Sequence, residues 1–367
     1  MINLPRVVCG KSVAKAGQLF SALPLTIIED MEIHNEHLKN CDALIVRSKT
    51  KIDGELLKNT PVKFVATATS GFDHMDLNYL EQQQIHFFIA AGCNSDSVAE
   101  YVLSALLHLQ ESHQIDYRGK TLGIVGYGHV GKALEKKAKA LALNVLYCDP
   151  PLAATGAAGN FLSLEALGAK ADILSLHASL TEQGEHPSKH LINEQTIQFF
   201  KPGTIFINTC RGEVVATQAL KWAMANKFFA ATVLDVWEGE PAIDPEIRAG
   251  ATLLTPHIAG YSDLARIRGS YLCYAAFCEY FSFQPQLHWV DLLSQKIPLQ
   301  QGASLKETFK QVYNIAADQQ RFLQLTEAIG FTQAFQAYRR DYPSRKQWAE
   351  FSLERDSMKN LLHYLVA

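Results

Sequence analysis

The chain has 367 residues, 48% of them hydrophobic and 19% charged, the balance of a globular protein with room for two or three domains. A formal net charge of -3 gives no electrostatic case for nucleic acid, and no apolar run reaches the length of a membrane-spanning helix. Seven scattered cysteines without a C-x-x-C pattern, and an N-terminus lacking a signal-peptide apolar segment, lead to an expectation of reduced thiols in a cytoplasmic protein.

In chain order, Arg6 to Cys9 reads as a short strand and Ser12 to Leu23 as a helix. Ala43 to Val46 is an apolar strand followed by Arg47-Ser48-Lys49-Thr50. Val62 to Ala66 is another, followed by Thr67-Ala68-Thr69-Ser70-Gly71. Open α/β sheets place ligands just after their strands, and hydroxyls with backbone N–H groups there can hold an anion. The alternative is a pair of well-capped turns. Asp96 to Glu111 is a long helix with Val98, Tyr101, Val102, Ala105, Leu106 and Leu109 on one face. It is expected to bridge two domains and so to create a cleft.

Leu122 to Val125 is an apolar, partly β-branched run that runs into Gly126-Tyr127-Gly128-His129-Val130-Gly131. In a G-x-G-x-x-G the first glycine allows a tight turn, the second lets backbone approach a pyrophosphate, and the third lets a helix pack close. Lys132 to Leu143 is the expected helix and Asn144 to Tyr147 the next strand. Asp149 ends it, about twenty residues past the glycines, where a carboxylate accepts the hydroxyls of an adenosine ribose. Pro150 and Pro151 follow, with no arginine to take a 2′-phosphate, which favours NAD over NADP.

Alternation then continues: helix over Leu162 to Ala169, strand over Ile173 to His177, helix over His190 to Phe199, strand over Thr204 to Asn208. A helix over Thr217 to Ala225, a strand over Ala231 to Asp235 and a short strand over Leu253 to Thr255 complete a doubly wound parallel sheet. Three strand ends present titratable or charged side chains, Arg211, Glu240 and His257. A guanidinium holds a carboxylate by two parallel hydrogen bonds, an imidazole exchanges a proton with a hydroxyl, and an acid fixes the imidazole tautomer. Beside a nicotinamide, the three define hydride transfer at the carbon next to a carboxylate. No metal-ligand pattern is evident. Ser262 to Phe283 is helical; beyond it Ser304 to Ala316, opening on the capping box Ser304-x-x-Glu307, and Gln333 to Arg340 are helices of a tail too small to stand alone.

The order of glycine motif, N-T-C-R-G-E, D-V-W-E-G-E-P and P-H-I-A-G-Y resembles the D-isomer-specific 2-hydroxyacid dehydrogenases. The resemblance extends to V-R-S-x-T at Val46 to Thr50, A-T-A-T-x-G-x-D-H at Ala66 to His74 and G-C-N at Gly92 to Asn94, and so to essentially the whole chain. It implies an α/β protein with three parts: a flavodoxin-like substrate domain (1–95 and 258–285), a Rossmann-type NAD domain (96–257) and a small C-terminal α+β dimerisation domain (286–367). It implies a catalytic trio of Arg211, Glu240 and His257, with His257 the proton donor or acceptor. Ser48, Thr69 and Tyr261 match substrate-contacting positions. The motif residues Gly126, Gly128, His129, Val130 and Gly131, with Asp149, Thr209, Cys210, Arg211, Asp235 and Gly260, match cofactor-contacting ones. The implied substrate is a phosphorylated 2-hydroxy acid, the cofactor NAD and the assembly a homodimer.

Three positions depart from the family pattern. Cys9-Gly10-Lys11 replaces an acidic D-E-N, Ala178 stands where a threonine is frequent, and Ala216 where an aspartate usually opens a helix, leaving Thr217 as the expected N-cap. Two other readings stay open on the sequence: a dehydrogenase of 3-phosphoglycerate or hydroxypyruvate, and an NAD-sensing binding scaffold.

Overall fold

The structure is a computed structural model that describes residues 4–293, 296–299 and 305–352. By its contacts the chain forms two compact units, residues 1–94 with 262–295, and residues 95–261 with 296–367.

The first unit opens with β1 (Val7–Gly10), α1 (Ala16–Leu19), β2 (Leu25–Ile28), β3 (Ala43–Val46), α2 (Gly54–Leu57), β4 (Phe64–Thr67), α3 (Leu77–Gln82) and β5 (His86–Ile89). Its five strands are parallel in the order β2-β1-β3-β4-β5, the flavodoxin-like order. β1, β3 and β4 are buried at every residue, which is why they read as unbroken apolar runs. The helix expected over Ser12 to Leu23 is only the four residues of α1. The Ser12 hydroxyl and N–H donate to Asp30, and Lys15 takes a left-handed φ of 60°, so the chain before Ala16 cannot wind. Asp30 also fills the space beside Gly10, where a Cβ would lie 2.6 Å from its Oδ1.

The second unit begins with α4 (Ser95–His113), β6 (Thr121–Val125), α5 (His129–Ala138), β7 (Asn144–Cys148), α6 (Pro150–Ala154) and α7 (Leu164–Gly168). It continues through β8 (Ile173–Leu176), β9 (Ile205–Asn208), α8 (Thr217–Ala225), β10 (Ala231–Leu234), α9 (Pro245–Gly250) and β11 (Leu253–Leu254). The six strands are parallel in the order β11-β10-β9-β8-β6-β7. A further parallel bridge, Tyr147 to Phe161, lies beyond β7. Counted with it, the strands follow the Rossmann order, with the chain reversing its direction of travel between β6 and β8. The apolar stripe of α4, with Tyr101, Val102, Ala105 and Leu109 almost inaccessible, packs with Leu122, Ile124 and Leu134 in one core.

The helix expected over His190 to Phe199 does not form. The His190 and Ile192 N–H groups donate to Glu213 and Val214, a strand-like pairing that leaves one 3₁₀ turn at Thr196–Phe199.

α10 (Asp263–Tyr280) returns the chain to the first unit, capped by Ser262, with Cys273 and Cys278 in the core beside Phe20 and Phe64. The tail then forms β12 (Ile297–Pro298), α11 (Leu305–Val312), α12 (Ile315–Ile329), α13 (Phe331–Arg340) and β13 (Phe351–Ser352). The helix expected to reach Ala316 ends at Val312, because Asn314 breaks out to cap α12 through Ala317 N–H. Ser304 of the expected capping box lies outside the described residues. Phe309, Val312 and Trp348 share the core of α4 and β6, and Phe322, Phe335 and Tyr338 share that of Phe206 and Leu234. Among the described residues no helix is long and apolar enough to cross a membrane.

Candidate active site

The residues around the glycine motif fit a dinucleotide. Gly126 has φ +92°, and a Cβ on it would lie 2.5 Å from the Ala178 nitrogen. A Cβ on Gly131 would lie 2.5 Å from the Gly126 carbonyl oxygen. These two glycines let β6, α5 and the chain after β8 close on one another. Gly128 caps α5 with no side-chain bond, and beyond its Cα is open space. The first N–H groups of α5, from His129 and Val130 onward, therefore face a region where a pyrophosphate can be held. Asp149 is half-buried at the end of β7. One oxygen accepts Tyr127 N–H at 2.7 Å and the other caps α6 through Leu152 N–H at 2.9 Å. Each oxygen keeps a lone pair for a ribose hydroxyl, so the acid both shapes the glycine loop and can read the sugar.

The turn after β9 carries Thr209, Cys210 and Arg211. Asn208 organises it: its side-chain oxygen accepts Cys210 N–H at 3.1 Å and its amide donates to the Arg211 carbonyl at 3.1 Å. Thr209 lies 3.3 Å from His177 Nδ1. Burial holds the Cys210 thiol up at about 12, so it is no nucleophile. Burial likewise depresses His177 to about 3, a neutral imidazole bound to Ser175 on its other nitrogen. Arg211 spends Nη1 on the Cys210 carbonyl at 2.9 Å. Gly212 brings this turn against the loop after β10, since a Cβ there would fall 1.9 Å from the Trp237 carbonyl carbon.

That loop carries Glu240, and the chain after β11 carries His257. His257 Nδ1 lies 2.5 Å from Glu240 Oε1, which leaves Nε2 as the nitrogen available to a substrate. Trp237 N–H holds the other Glu240 oxygen at 3.3 Å. Burial opposes ionisation of Glu240, but the hydrogen bond and charge of His257, joined by the charge of Arg339, hold its carboxyl below the usual range. His257 takes φ +56°, a strained value for a non-glycine residue, and its surroundings enforce it. Asp235 is 1% exposed, and its carboxylate accepts Ile258 N–H and Ala259 N–H at 2.8 Å each and the Thr255 hydroxyl at 2.6 Å. Burial pushes the Asp235 carboxyl up, against these donors. The Tyr101 hydroxyl closes the chain on Thr255 at 2.6 Å. Asp235 thus appears in the structure as the internal support of the His257 loop, while Gly260 and Tyr261 end that loop.

Two contributors were not visible in the sequence. Arg345, from the tail, is 4% exposed; its guanidinium donates to the Ala259 carbonyl at 2.9 Å and the Ser97 carbonyl at 2.7 Å, and lies 3.6 Å from the Tyr313 ring centroid. It clamps the His257 loop to α4. Glu238 accepts Thr217 N–H at 2.9 Å and the Thr217 hydroxyl at 2.6 Å. The expected Thr217 N-cap is thereby corrected: Ala216 is the capping position and a distant carboxylate supplies the acceptor. Of the remaining expected residues, Ser48 is exposed after β3 in the first unit. Thr69, after β4, bonds the Thr67 hydroxyl at 2.7 Å and the Gly71 carbonyl at 2.8 Å.

A Rossmann sheet that carries an arginine, an acid-paired histidine and a dinucleotide loop at its strand ends defines an NAD-dependent 2-hydroxyacid dehydrogenase. Residues 99–259 match the family model for the D-isomer specific 2-hydroxyacid dehydrogenase NAD binding domain. The erythronate-4-phosphate dehydrogenase of Proteus mirabilis (strain HI4320) is 39% identical over 358 residues, 96% of this chain and 95% of that protein. That of Chromohalobacter salexigens is 37% identical over 361 residues, 95% of this chain and 94% of that protein. A D-lactate dehydrogenase from Aquifex aeolicus, solved with NAD and lactic acid, superposes with a TM-score of 0.61 at 26% identity, over 76% of this chain and 96% of that one. The chain belongs to the erythronate-4-phosphate dehydrogenases of the D-isomer-specific 2-hydroxyacid dehydrogenase family.

Proposed function

We propose that this protein oxidises 4-phospho-D-erythronate to 2-oxo-3-hydroxy-4-phosphobutanoate, with NAD, in the biosynthesis of pyridoxal 5′-phosphate (vitamin B6). The observation that carries the reading is the match to erythronate-4-phosphate dehydrogenases along 95–96% of the chain, the tail included. Bound NAD supplies the hydride acceptor. Arg211 orients the substrate carboxylate with the donors of its guanidinium fork and draws charge from the adjoining carbon. His257 Nε2 accepts the proton of the 2-hydroxyl as the hydride leaves. Glu240, bonded to Nδ1, fixes the tautomer and balances the imidazolium that results. Tyr261, Ser48 and Thr69 are our assignment for further substrate contacts, and Asp149, the α5 N-terminus and the Thr209 to Arg211 turn for the cofactor.

Incubation with 4-phosphoerythronate and NAD is expected to yield NADH and a hydrazine-trappable 2-oxo acid in equal amounts. NADH without the oxo acid, or no NADH, would refute the assignment.

The same reading makes the protein a cytoplasmic homodimer, joined through the tail. In its support, α12 exposes Leu323 and Ile329, 36% and 41% accessible. Light scattering of the full chain is expected to give twice the chain mass; a monomer at micromolar concentration would contradict it.

A further inference from the structure

Arg339 lies in the last turn of α13, and no described residue offers its guanidinium a hydrogen bond or an ion pair. Its Nε is buried without a partner. The guanidinium carbon lies 5.8 Å from the Tyr261 ring centroid and 5.6 Å from that of Phe335, and Tyr342 packs edge-on against Tyr261 at 5.6 Å. The acids of the surrounding helices and of the loop after β10 are engaged elsewhere. Asp341 is paired with Arg340 at 2.8 Å. Asp318 takes Arg321 at 2.5 Å and the Tyr338 and Tyr342 hydroxyls at 2.8 and 2.7 Å. Glu240 feels the charge of Arg339 but holds His257 with one oxygen and Trp237 N–H with the other. A planar guanidinium has therefore been brought beside Tyr261, its charge acting on Glu240, with no acceptor among the described residues.

We infer that Arg339 binds the phosphate of the substrate and sets the preference for a phosphorylated acid. The inference rests on the reading above, in which the substrate is 4-phosphoerythronate. Arg211 is the arginine for the carboxylate, and His257 the base for the hydroxyl. A short carbon chain separates that hydroxyl from the phosphate, so an arginine that lies over Tyr261 and whose charge acts on Glu240, the partner of His257, is placed to meet it. Arg345, the buried arginine of the tail, has Nη1 and Nη2 committed to the Ala259 and Ser97 carbonyls and its face to the Tyr313 ring, so although its Nε has no partner it is fixed as a structural clamp. Phosphate dianions favour a bidentate guanidinium, and the aromatic rings of Tyr261 and Phe335 hold the fork without consuming its donors.

The test compares kcat/KM for 4-phosphoerythronate and erythronate, with NAD, in wild type, Arg339→Ala and Arg339→Lys. Wild type is expected to prefer the phosphorylated acid strongly. Arg339→Ala should cut that preference by roughly ten- to a hundredfold, the effect of losing a charge-assisted contact. Arg339→Lys, which keeps the charge and loses the fork, should fall between; it also serves if the alanine variant does not fold. The KM for NAD should stay within about twofold, because a rise there would show that Arg339 serves the cofactor's phosphates and would overturn the inference. An unchanged preference in both variants would overturn it too. A wild type without preference would instead sink the substrate reading on which it stands.

Discussion

Replacing His257 by alanine is expected to lower kcat for oxidation by at least about a hundredfold, the usual range for a lost general base. The structure favours a clean result. The loop that carries His257 is held by the Asp235 carboxylate from within and by Arg345 from the tail, through backbone groups at Ile258 and Ala259. Among the described residues the imidazole makes one hydrogen bond, to Glu240. Removing it should therefore delete the proton acceptor and leave the loop in place. Glu240→Gln tests the pairing. The bond and charge of His257 lower Glu240, so the two side chains interact in the folded protein. Loss of the carboxylate removes the acceptor that holds Nδ1 and the charge that balances the imidazolium formed in oxidation, so kcat is expected to fall in Glu240→Gln, and to fall no further in the double variant with His257→Ala than in His257→Ala alone. Losses that add in the double variant would show that the two residues do not act together.

The segment from Thr121 to Asp149 was legible because its signals are local. A buried β-branched strand, three glycines at fixed offsets and an acid at the next strand end each follow from a few consecutive residues, and the structure adds only that Asp149 also ties Tyr127 N–H and caps α6. Arg211, Glu240 and His257 were legible for a similar reason, as charged or titratable residues in the loops that follow apolar strands. What the sequence could not show depends on distant partners. β2 reads as half-exposed, with a burial pattern that gives no period, and its place at the sheet edge comes from pairing with β1. The apolar spacing of Leu191, Ile192, Ile197 and Phe199 imitates a helix, yet backbone pairing to Glu213 and Val214 holds the chain extended. Glu238 as the cap of α8, Arg345 as the clamp of the His257 loop and the unspent fork of Arg339 each join residues far apart in sequence. Arg339, Arg340 and Arg345 of the tail are alike in sequence. The structure separates them: Arg345 clamps the His257 loop, Arg340 is paired with Asp341, and Arg339 lies over Tyr261.

The central claim is that this site oxidises a phosphorylated 2-hydroxy acid and uses the phosphate to do it. With the carboxylate assigned to Arg211 and the hydroxyl to His257, the far end of the substrate must supply the remaining binding energy. Charge-assisted hydrogen bonds to a dianion contribute roughly 1.5–3 kcal/mol each. Two of them place the expected discrimination between about a hundredfold and ten-thousandfold in catalytic efficiency. Part of that energy should appear in kcat, because remote binding orients the reacting carbon against His257. The deciding measurement is the steady-state rate of NADH formation by the wild-type protein with 4-phosphoerythronate and with erythronate, under the same conditions. A preference of at least about a hundredfold for the phosphorylated acid, expressed in both kcat and KM, is the predicted result. Comparable efficiencies would contradict the account and leave a 2-hydroxyacid dehydrogenase that does not read a phosphate.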